Sequence, residues 1–366
     1  MNVFRNKKWI LSLFLLSLFA GFCGGVLAQR AGIPRQVKNY IFDTLAEVRR
    51  EPSRVTEWKR YPSNPVLSPT KNSWDSMLTA YGSVLKDQQD YKLYFTGQRT
   101  KYDHQIGLAT SLDGQNWEKH KANPILRPGT PGSWDDYYIW CPMVWKEGNT
   151  YHMLYSGANS SYIKQVGYAY SSDGINWTKY ENNPVFNEPN PWAHNKTEGW
   201  GIIKADETYY MYYNSLGPSR REIGVATSKD LIHWLPYQNA PIFATGWGYN
   251  WAQYCPWPFK YNGHYYLIVT CRNANNDHRF KLYRSKNPYF FPGEREFLGF
   301  VLKTHAEIPW EAHGRLDTPC ILADDIRMSK FLQKGEVWIY YTATGKDNKE
   351  HMGLAILDIS KLLNHE

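Results

Sequence analysis

The chain of 366 residues is long enough for one large domain or two average ones, and 16% of its residues are aromatic. This aromatic content argues against a disordered or fibrous chain and suits packed sheets or a surface that stacks on sugar rings. The formal net charge of +8 comes without a long basic run, so we expect solubility rather than nucleic-acid binding to explain it.

The first 28 residues have the pattern of a secretory leader. Arg5, Lys7 and Lys8 precede an apolar run that starts at Trp9 and ends at Ala28, beside small residues suited to cleavage. An uncleaved anchor is the alternative, because about 20 apolar residues could span a bilayer. The sequence therefore predicts a secreted or periplasmic protein, or a membrane-anchored protein that faces outside.

Residues 29–52 carry a weakly helical pattern, which predicts a spacer or a packing helix ahead of a main domain over residues 53–366. The cysteines after the leader contain no Cys-x-x-Cys pair, so we predict no metal site and no cofactor. Their disulfide pairing cannot be deduced from spacing: Cys141, Cys255, Cys271 and Cys320.

The main domain contains a unit that recurs every 57 to 60 residues, with the pattern Gly-x-Ala-x-Ser-x-Asp-x-x-x-Trp. The pattern starts at Gly107, Gly167 and Gly224, and an aromatic strand precedes each copy. Two more such strands follow, at 265–269 and 337–341. Short antiparallel strands at a long period are typical of propeller blades. The repeated aspartates are predicted turn residues.

The two ends of the domain complete each other. Trp58 and Asn64-Pro65 have the spacing of an outer strand without the earlier strands of their unit, whereas the last unit reaches Gly353 and stops. The sequence therefore predicts an all-β fold: a five-bladed β-propeller with four antiparallel strands per blade, in which the N-terminal strand closes the ring.

The innermost strand of each blade lines the central channel, so functional side chains are expected there. Alignment of the units on their aromatic strands places five positions in register, of which two are acids. These positions are Ala80, Trp140, Glu198, Tyr254 and Asp317.

Three short motifs on these strands resemble those of the five-bladed propeller glycosidases: residues 140–142 (Trp-Cys-Pro), 197–199 (Thr-Glu-Gly) and 317–319 (Asp-Thr-Pro). The resemblance points to glycoside hydrolase family 43, with the related invertase, levansucrase and mannoside phosphorylase families behind it. It spans roughly residues 55–360 through the repeat.

The resemblance implies that Glu198 is the general acid, although Trp200 replaces the family's Pro after Glu-Gly. The family's Asp in the second blade is replaced by Met143. Its first-blade Asp base is replaced by Tyr81, with Asp75 several residues earlier.

Glycoside cleavage needs one protonated and one ionised carboxyl group beside the bond. We assign the acid to Glu198 and the base to Asp317, with His313 and Arg315 as groups that orient Asp317 or hold substrate hydroxyls. Asp75 is a reserve base, although the repeated pairs Trp74-Asp75, Trp134-Asp135 and Trp310-Glu311 favour a capping or packing role. A polar channel residue paired with an arginine is the alternative for Glu198.

Further side chains are candidates for contact with a sugar because they are aromatic or polar and lie near the inner strands or the channel rim. Packing between blades is the alternative for the tryptophans. The candidates are Trp140, Trp200, Trp257, Arg272, Asp136 and His194.

The expected function is a glycoside hydrolase that acts on an extracellular or cell-surface polysaccharide or oligosaccharide. A non-catalytic propeller that binds glycan or protein is the first alternative. A glycoside phosphorylase is the second, and its phosphate would need basic side chains such as Arg272, Arg279, Arg284 and Arg315.

Overall fold

The computed structural model describes residues 58–216, 221–244, 251–322 and 335–358. The predicted leader and the predicted spacer or helix of residues 29–52 lie outside the described residues. Over the ranges that are described, no helix is long and apolar enough to cross a membrane.

The regular secondary structure of the described residues is β-strand, apart from one short 3-10 turn at Pro191–Ala193. The strands are, in chain order, β1 (Lys59–Arg60), β2 (Leu78–Asp87), β3 (Asp90–Gln98), β4 (Gln105–Ser111), β5 (Glu118–Lys119), β6 (Tyr138–Glu147), β7 (Thr150–Ala158), β8 (Lys164–Ser171), β9 (Thr178–Lys179), β10 (Thr197–Ala205), β11 (Thr208–Leu216), β12 (Arg221–Ser228), β13 (Leu235–Pro236), β14 (Ala252–Tyr261), β15 (His264–Arg272), β16 (His278–Ser285), β17 (Glu296–Lys303), β18 (Leu316–Ile321), β19 (Glu336–Thr344) and β20 (Glu350–Asp358).

Three sheets contain four antiparallel strands each, in chain order: β6–β9, β10–β13 and β14–β17. The remaining sheet has eight strands and consists of two further sets of four, β2–β5 and β18–β20 with β1. A single parallel bridge between Leu78 and Glu350 joins these two sets. We call β2–β5 group 1, the three separate sheets groups 2 to 4, and β18–β20 with β1 group 5.

Strand β1 lies antiparallel to β20, with Lys59 opposite Ile356 and Arg60 opposite Ala355. The predicted pairing of the N-terminal strand with the last unit is therefore confirmed. The first strands β2, β6, β10, β14 and β18 each contact the next, and β18 contacts β2.

The same asparagine contact recurs near the outer strands. Asn123 accepts a hydrogen bond from Leu108 N and donates one to Leu108 O, both at 2.8 Å, and Asn183 makes the equivalent pair in its own unit. Asn64 does the same to the backbone of Leu354 in β20, again at 2.8 Å. The segment after β1 is thus fastened to the last group by the same contact that the other groups make within themselves.

Each first strand carries a β-bulge directly after its aligned position, where the register shifts by an extra residue. In four of the five strands the next residue has a φ of 51–56°: Tyr81, Cys141, Cys255 and Thr318. Group 3 has Gly199 at this point. A bulge re-aims side chains and strengthens local twist. Because the bulges occur at equivalent points of the first strands, the side chains at the aligned positions lie at the same height along these strands.

The bulges are held by polar side chains of the second strand in the preceding group. These bonds run from Cys141 N to Thr96 Oγ1 (3.1 Å), from Ser156 Oγ to Gly199 O (3.3 Å), from Cys255 N to Asn214 Oδ1 (3.0 Å) and from Tyr81 N to Thr342 Oγ1 (3.3 Å). The last bond joins group 5 to group 1, so the same contact links the two ends of the domain.

The repeated aspartates are turn residues, as predicted. Asp113 Oδ1 accepts hydrogen bonds from Gln115 N and Asn116 N at 2.8 Å, and Asp173 and Asp230 hold equivalent turns.

A partly buried acid joins neighbouring groups on the outer side of the first strands. Asp87 accepts hydrogen bonds from Lys92 (2.5 Å), from Lys146 of the next group (2.8 Å) and from the Tyr151 hydroxyl. Burial alone would raise the pKa of Asp87, but these donors lower it from 3.8 to about 2. An equivalent joint follows between groups 2 and 3, formed by Glu147, Lys204 and Tyr209.

We expect Asn64→Ala to destabilise the domain, because the backbone N–H and C=O of Leu354 lose their partner. A loss of about 1–3 kcal/mol corresponds to a fall in melting temperature of roughly 2–4 °C per kcal/mol. Thermal unfolding followed by circular dichroism checks this. The control is Ser63→Ala, an exposed neighbour, and equal melting temperatures for the two variants would contradict the role given to Asn64.

We expect Asp87→Asn to lower the melting temperature at pH 6 and to have little effect near pH 2. A carboxyl group whose folded pKa lies below its unfolded value stabilises the fold above the unfolded pKa. That contribution is lost as the pH falls from about 4 to about 2. Melting curves across this range, with the exposed Asp90→Asn as control, measure the difference. A constant difference at every pH would argue against the ionised carboxylate as the cause.

Candidate active site

The aligned positions of the first strands bring aromatic and acidic side chains together. Trp140, Trp200 and Tyr254 belong to one buried cluster, with Tyr81 packed against it. The rings of Tyr81 and Trp200 meet edge to face at 5.7 Å between centroids. Glu198 and Asp317 are also buried, at equivalent points of β10 and β18.

Glu198 is bound by a lysine of the preceding group. Lys164 Nζ donates to Glu198 Oε1 at 2.7 Å and lies 4.9 Å from the ring centroid of Trp140. Burial would raise the pKa of Glu198, but Lys164 and Arg221 outweigh it and lower the pKa below its ordinary value. The other oxygen, Oε2, accepts no hydrogen bond from any residue that the structure describes.

Asp317 is held from two sides. Arg315 Nε donates to Asp317 Oδ2, and His278 Nδ1 lies 3.4 Å from Oδ1 and 3.0 Å from the Tyr254 hydroxyl. Burial would raise the pKa of Asp317, but Arg315 above all, then His278 and Arg221, hold it well below its usual range. Asp317 is therefore an ionised carboxylate.

The site contains a third carboxyl group, Glu350, which the sequence reasoning missed. Arg315 Nη1 donates to Glu350 Oε1 at 2.6 Å, and its Nη2 donates to the Tyr81 hydroxyl at 3.3 Å. Burial and the charge of Asp317 raise the pKa of Glu350, and they outweigh the opposing effect of Arg315. One arginine thus holds two carboxyl groups whose pKa values are shifted in opposite directions.

The missed residues share one place in the repeat. Each lies three positions ahead of the residue at the repeat's glycine position, at or just before the start of the third strand of its group. They are His104, Lys164, Arg221, His278 and Glu350. The signal was present in the sequence, because an alignment on the glycine position rather than on the aromatic strand would have found this set.

Arg221 connects the two halves of the site through charge. Its guanidinium lies 4.7 Å from the ring centroid of Tyr254. Its charge lowers the pKa of both Glu198 and Asp317. Burial would lower the pKa of Arg221 itself, but the negative charges of these acids outweigh burial and raise it. The group 3 arginine therefore stabilises both ionised carboxylates.

Asp75, the reserve base, is not brought together with Glu198 and Asp317. It forms an ion pair with Lys119 of the outermost strand β5. The two equivalent acids also pair with a cation of an outermost strand: Asp135 with Lys179 at 2.6 Å, and Glu311 with Arg60 at 2.8 Å. The repetition favours the structural role that the Trp-acid pattern suggested.

The remaining candidates divide into two sets. Arg272 reaches the site indirectly: its Nη1 donates to Asn276 Oδ1 at 2.8 Å, and that oxygen lies 3.2 Å from His278 Nε2. Trp140 and Trp200 lie in the site, whereas Trp257 is buried in a separate hydrophobic core with Phe259.

Three candidates lie outside the cluster. His313 is exposed, and its backbone N–H donates to Thr344 O. Asp136 holds loop backbone, accepting from Gly132 N at 2.7 Å and from Ser160 N at 3.2 Å. His194 is exposed, with a φ of 50°, at the end of the 3-10 turn.

The four cysteines of the described ranges are buried free thiols. Among the described residues, no group of three or more His, Cys, Asp or Glu side chains is arranged to hold a metal ion.

We expect Lys164→Met to raise the pKa of Glu198, because the variant keeps the burial and removes the nearest cation. Carboxyl ¹³C NMR titration of the protein labelled at glutamate checks the direction. The exposed Lys196→Met, on the adjacent segment, is the control. If both variants leave the titration of Glu198 unchanged, Lys164 is not what holds this carboxylate ionised.

Two family models match the chain. Glycosyl hydrolases family 43 matches residues 188–364, and the glycosyl hydrolases family 32 N-terminal domain matches residues 53–182. Each match covers less than half of the chain, and together they cover most of the described domain.

A curated relative and two solved structures give the same picture. The chain is 29% identical over 121 residues to a 1,2-beta-oligomannan phosphorylase of Thermoanaerobacter sp. (strain X514). This match covers 30% of this chain and 40% of that protein. A glycosyl hydrolase from Bacteroides ovatus has a TM-score of 0.64 at 18% identity, over 84% of this chain and 94% of the other. A beta-1,2-mannobiose phosphorylase from Listeria innocua has a TM-score of 0.62 at 14% identity, over 84% and 99%.

At these identities the solved structures show the fold, and the family models add sequence similarity on both halves of the domain. The resemblance to the β-propeller glycosidases is thus confirmed, and both halves of the domain are similar to glycoside-processing enzyme families.

Proposed function

We propose that the protein is a glycoside hydrolase that uses the carboxyl groups held by Arg315. The observation that carries this is the opposite direction of two pKa shifts in one buried site: that of Glu350 is raised and that of Asp317 is lowered. Carboxyl groups whose environments push their pKa values apart are the pattern of an acid and a base in glycoside cleavage.

In this proposal Glu350 takes the role of general acid that the sequence suggested for Glu198. It would give its proton to the glycosidic oxygen as the bond to the anomeric carbon breaks. Asp317 would take a proton from the incoming water or attack the anomeric carbon directly. Glu198, bound to Lys164, would accept hydrogen bonds from sugar hydroxyls through its unpartnered Oε2.

Phosphorolysis is the second candidate. The cations of the site favour it, and so do two similar proteins that are named phosphorylases. A phosphate would need Lys164, Arg221 or Arg315 to bind it. However, Lys164 and Arg315 already pair with carboxylates. Hydrolysis needs no phosphate-binding site, so it agrees better with a site whose cations are already paired with carboxylates.

The strand pairing also supports a closed five-bladed ring, with groups 1 to 5 as its blades. The contacts of the first strands and the bond from Tyr81 N to Thr342 are its basis. An experimental structure with fewer or more blades would overturn it. Location outside the cytoplasm rests on the leader pattern, and N-terminal sequencing of the mature protein in a cell fraction tests it.

The decisive assay incubates the purified protein with a panel of oligosaccharides, including β-1,2-linked mannosides, with and without inorganic phosphate. We expect reducing sugar to be released equally in both conditions. Glu350→Gln and Asp317→Asn should each lower kcat by about a hundredfold to ten-thousandfold. Glu350→Gln should also remove the fall in activity at high pH, since that fall reports loss of the acid's proton.

The exposed Glu207→Gln is the matched control and should leave the rate unchanged. Formation of a sugar phosphate only when phosphate is present would establish phosphorolysis instead. Binding of a glycan without cleavage of any panel member would favour the non-catalytic alternative. Full activity in Glu350→Gln would show that Glu350 is not the acid.

A further inference from the structure

Four tyrosines form a cluster on the loops next to the site. Tyr102 lies between β3 and β4, and Tyr162 lies between β7 and β8. Tyr137 directly precedes β6, and Tyr138 is the first residue of β6. Tyr162 is 42% exposed, Tyr102 and Tyr137 are partly exposed, and Tyr138 is buried. We call these four side chains the tyrosine platform.

The platform is a set of rings in mutual contact. Tyr102 stacks on Tyr137 with 5.2 Å between centroids and an interplanar angle of 28°. Tyr162 meets both rings edge to face, at 5.6 Å from Tyr102 and 5.4 Å from Tyr137. Such offset and edge-to-face pairs are favourable arrangements, so the rings support one another.

The platform continues into the candidate active site. The ring of Tyr138 lies 4.9 Å from that of Trp140, and Trp140 lies under Lys164, which binds Glu198. A row of aromatic side chains therefore leads from the exposed Tyr162 through Tyr138 to Trp140, and Lys164 connects Trp140 to the carboxylate of Glu198.

Both loops are held in place by their own polar side chains. Asn159 Oδ1 accepts hydrogen bonds from Ser161 N and Ile163 N at 3.1 Å, and Asp103 Oδ1 accepts them from Arg99 N and Thr100 N at 2.9 and 2.8 Å. An ordered surface loses less conformational entropy when a ligand binds.

Tyr162 has a φ of 60°, a backbone conformation that favours glycine or asparagine. A bulky residue here costs stability, and such strain is concentrated at functional positions. The loop thus has a tyrosine at a position where glycine or asparagine would be less strained.

The charges around the platform are mixed. Lys101 Nζ lies 4.9 Å from the Tyr102 ring, and Asp103 and Asp136 are close by on the same loops. Burial lowers the pKa of His104, beside Tyr138, to about 4, so its ring is neutral at ordinary pH. The surface therefore suits a neutral ligand with both apolar faces and hydroxyl groups better than an anion or a cation.

We propose that the tyrosine platform is an extended subsite that binds the sugar units of a neutral glycan chain beyond those that lie at the carboxylates. The inference rests on the proposed function, because it takes the chain to continue out of the candidate active site. Aromatic rings pack against the apolar faces of the sugars, and tyrosine hydroxyls bond their hydroxyl groups. The enzyme would therefore prefer oligosaccharides to disaccharides.

The test compares kcat/KM for a hexasaccharide and a disaccharide of the same linkage, taken from the panel above, in the parent protein and in Tyr162→Ala. We expect the ratio of the two values to fall about tenfold in the variant, the size of a lost favourable contact. Tyr102→Ala, on the other loop, should lower the same ratio. Tyr162→Phe, which keeps the ring, should restore most of it.

Tyr170→Ala is the control, since Tyr170 is 41% exposed on β8 and is not part of the platform. Equal ratios in the parent, Tyr162→Ala and Tyr102→Ala would overturn the proposal. A dimeric parent that becomes monomeric in Tyr162→Ala, measured by analytical ultracentrifugation, would also overturn it, because the platform would then join two copies of the chain.

The binding of the hexasaccharide separates this inference from the proposed function. If the parent cleaves no glycan but binds the hexasaccharide about tenfold more tightly than Tyr162→Ala does, measured by calorimetry, the platform stands and hydrolysis fails. If cleavage occurs and the chain-length preference is absent, hydrolysis stands and the platform fails.

Discussion

The hydrogen bonds that hold the bulges are the constraint on which the rest of the structure depends. A bulge leaves backbone groups without their ladder partners. Here a threonine, serine or asparagine of the preceding group binds that backbone, at four of the junctions described. Because the contact crosses from one group to the next, it fixes both the conformation of the first strand and the position of neighbouring groups. For this reason the side chains at the aligned positions lie at the same height along the first strands.

The site is built from two sets of equivalent positions, and this explains its charge balance. The first-strand set supplies Glu198 and Asp317, and the third-strand set supplies Lys164, Arg221 and Glu350. Lys164 of group 2 meets Glu198 of group 3 across one junction, and His278 of group 4 lies beside Asp317 of group 5 across another. Buried carboxylates carry a large desolvation cost unless they are paired. Lys164, Arg221 and also Arg315, which lies outside both sets, offset that cost for Glu198 and Asp317, whereas the pKa of Glu350 is raised.

Much of the fold and part of the site could be predicted from the sequence. The repeat predicted four-stranded units and the pairing of β1 with β20, because turn residues and aromatic strands recur at fixed spacing. The register also predicted that Glu198 and Asp317 share a level. Glu350 was missed because the alignment was anchored on the aromatic strand, away from the third strand. The direction of the Glu198 pKa was not predictable, since it depends on Lys164, a residue of another sheet.

The contact between Asn64 and Leu354 also governs the order in which the domain can assemble. Its two residues are 290 positions apart in the chain. A ribosome delivers groups 1 to 4 before β20 exists, so each of these can form from strands already made. Strand β1 is made before β2 to β19 and has no partner until β20 has been synthesised. Contacts between such distant residues slow folding, and an unpaired strand is open to association with other chains until it finds its partner. Completion of the last group therefore ends the interval in which β1 is open to association with other chains.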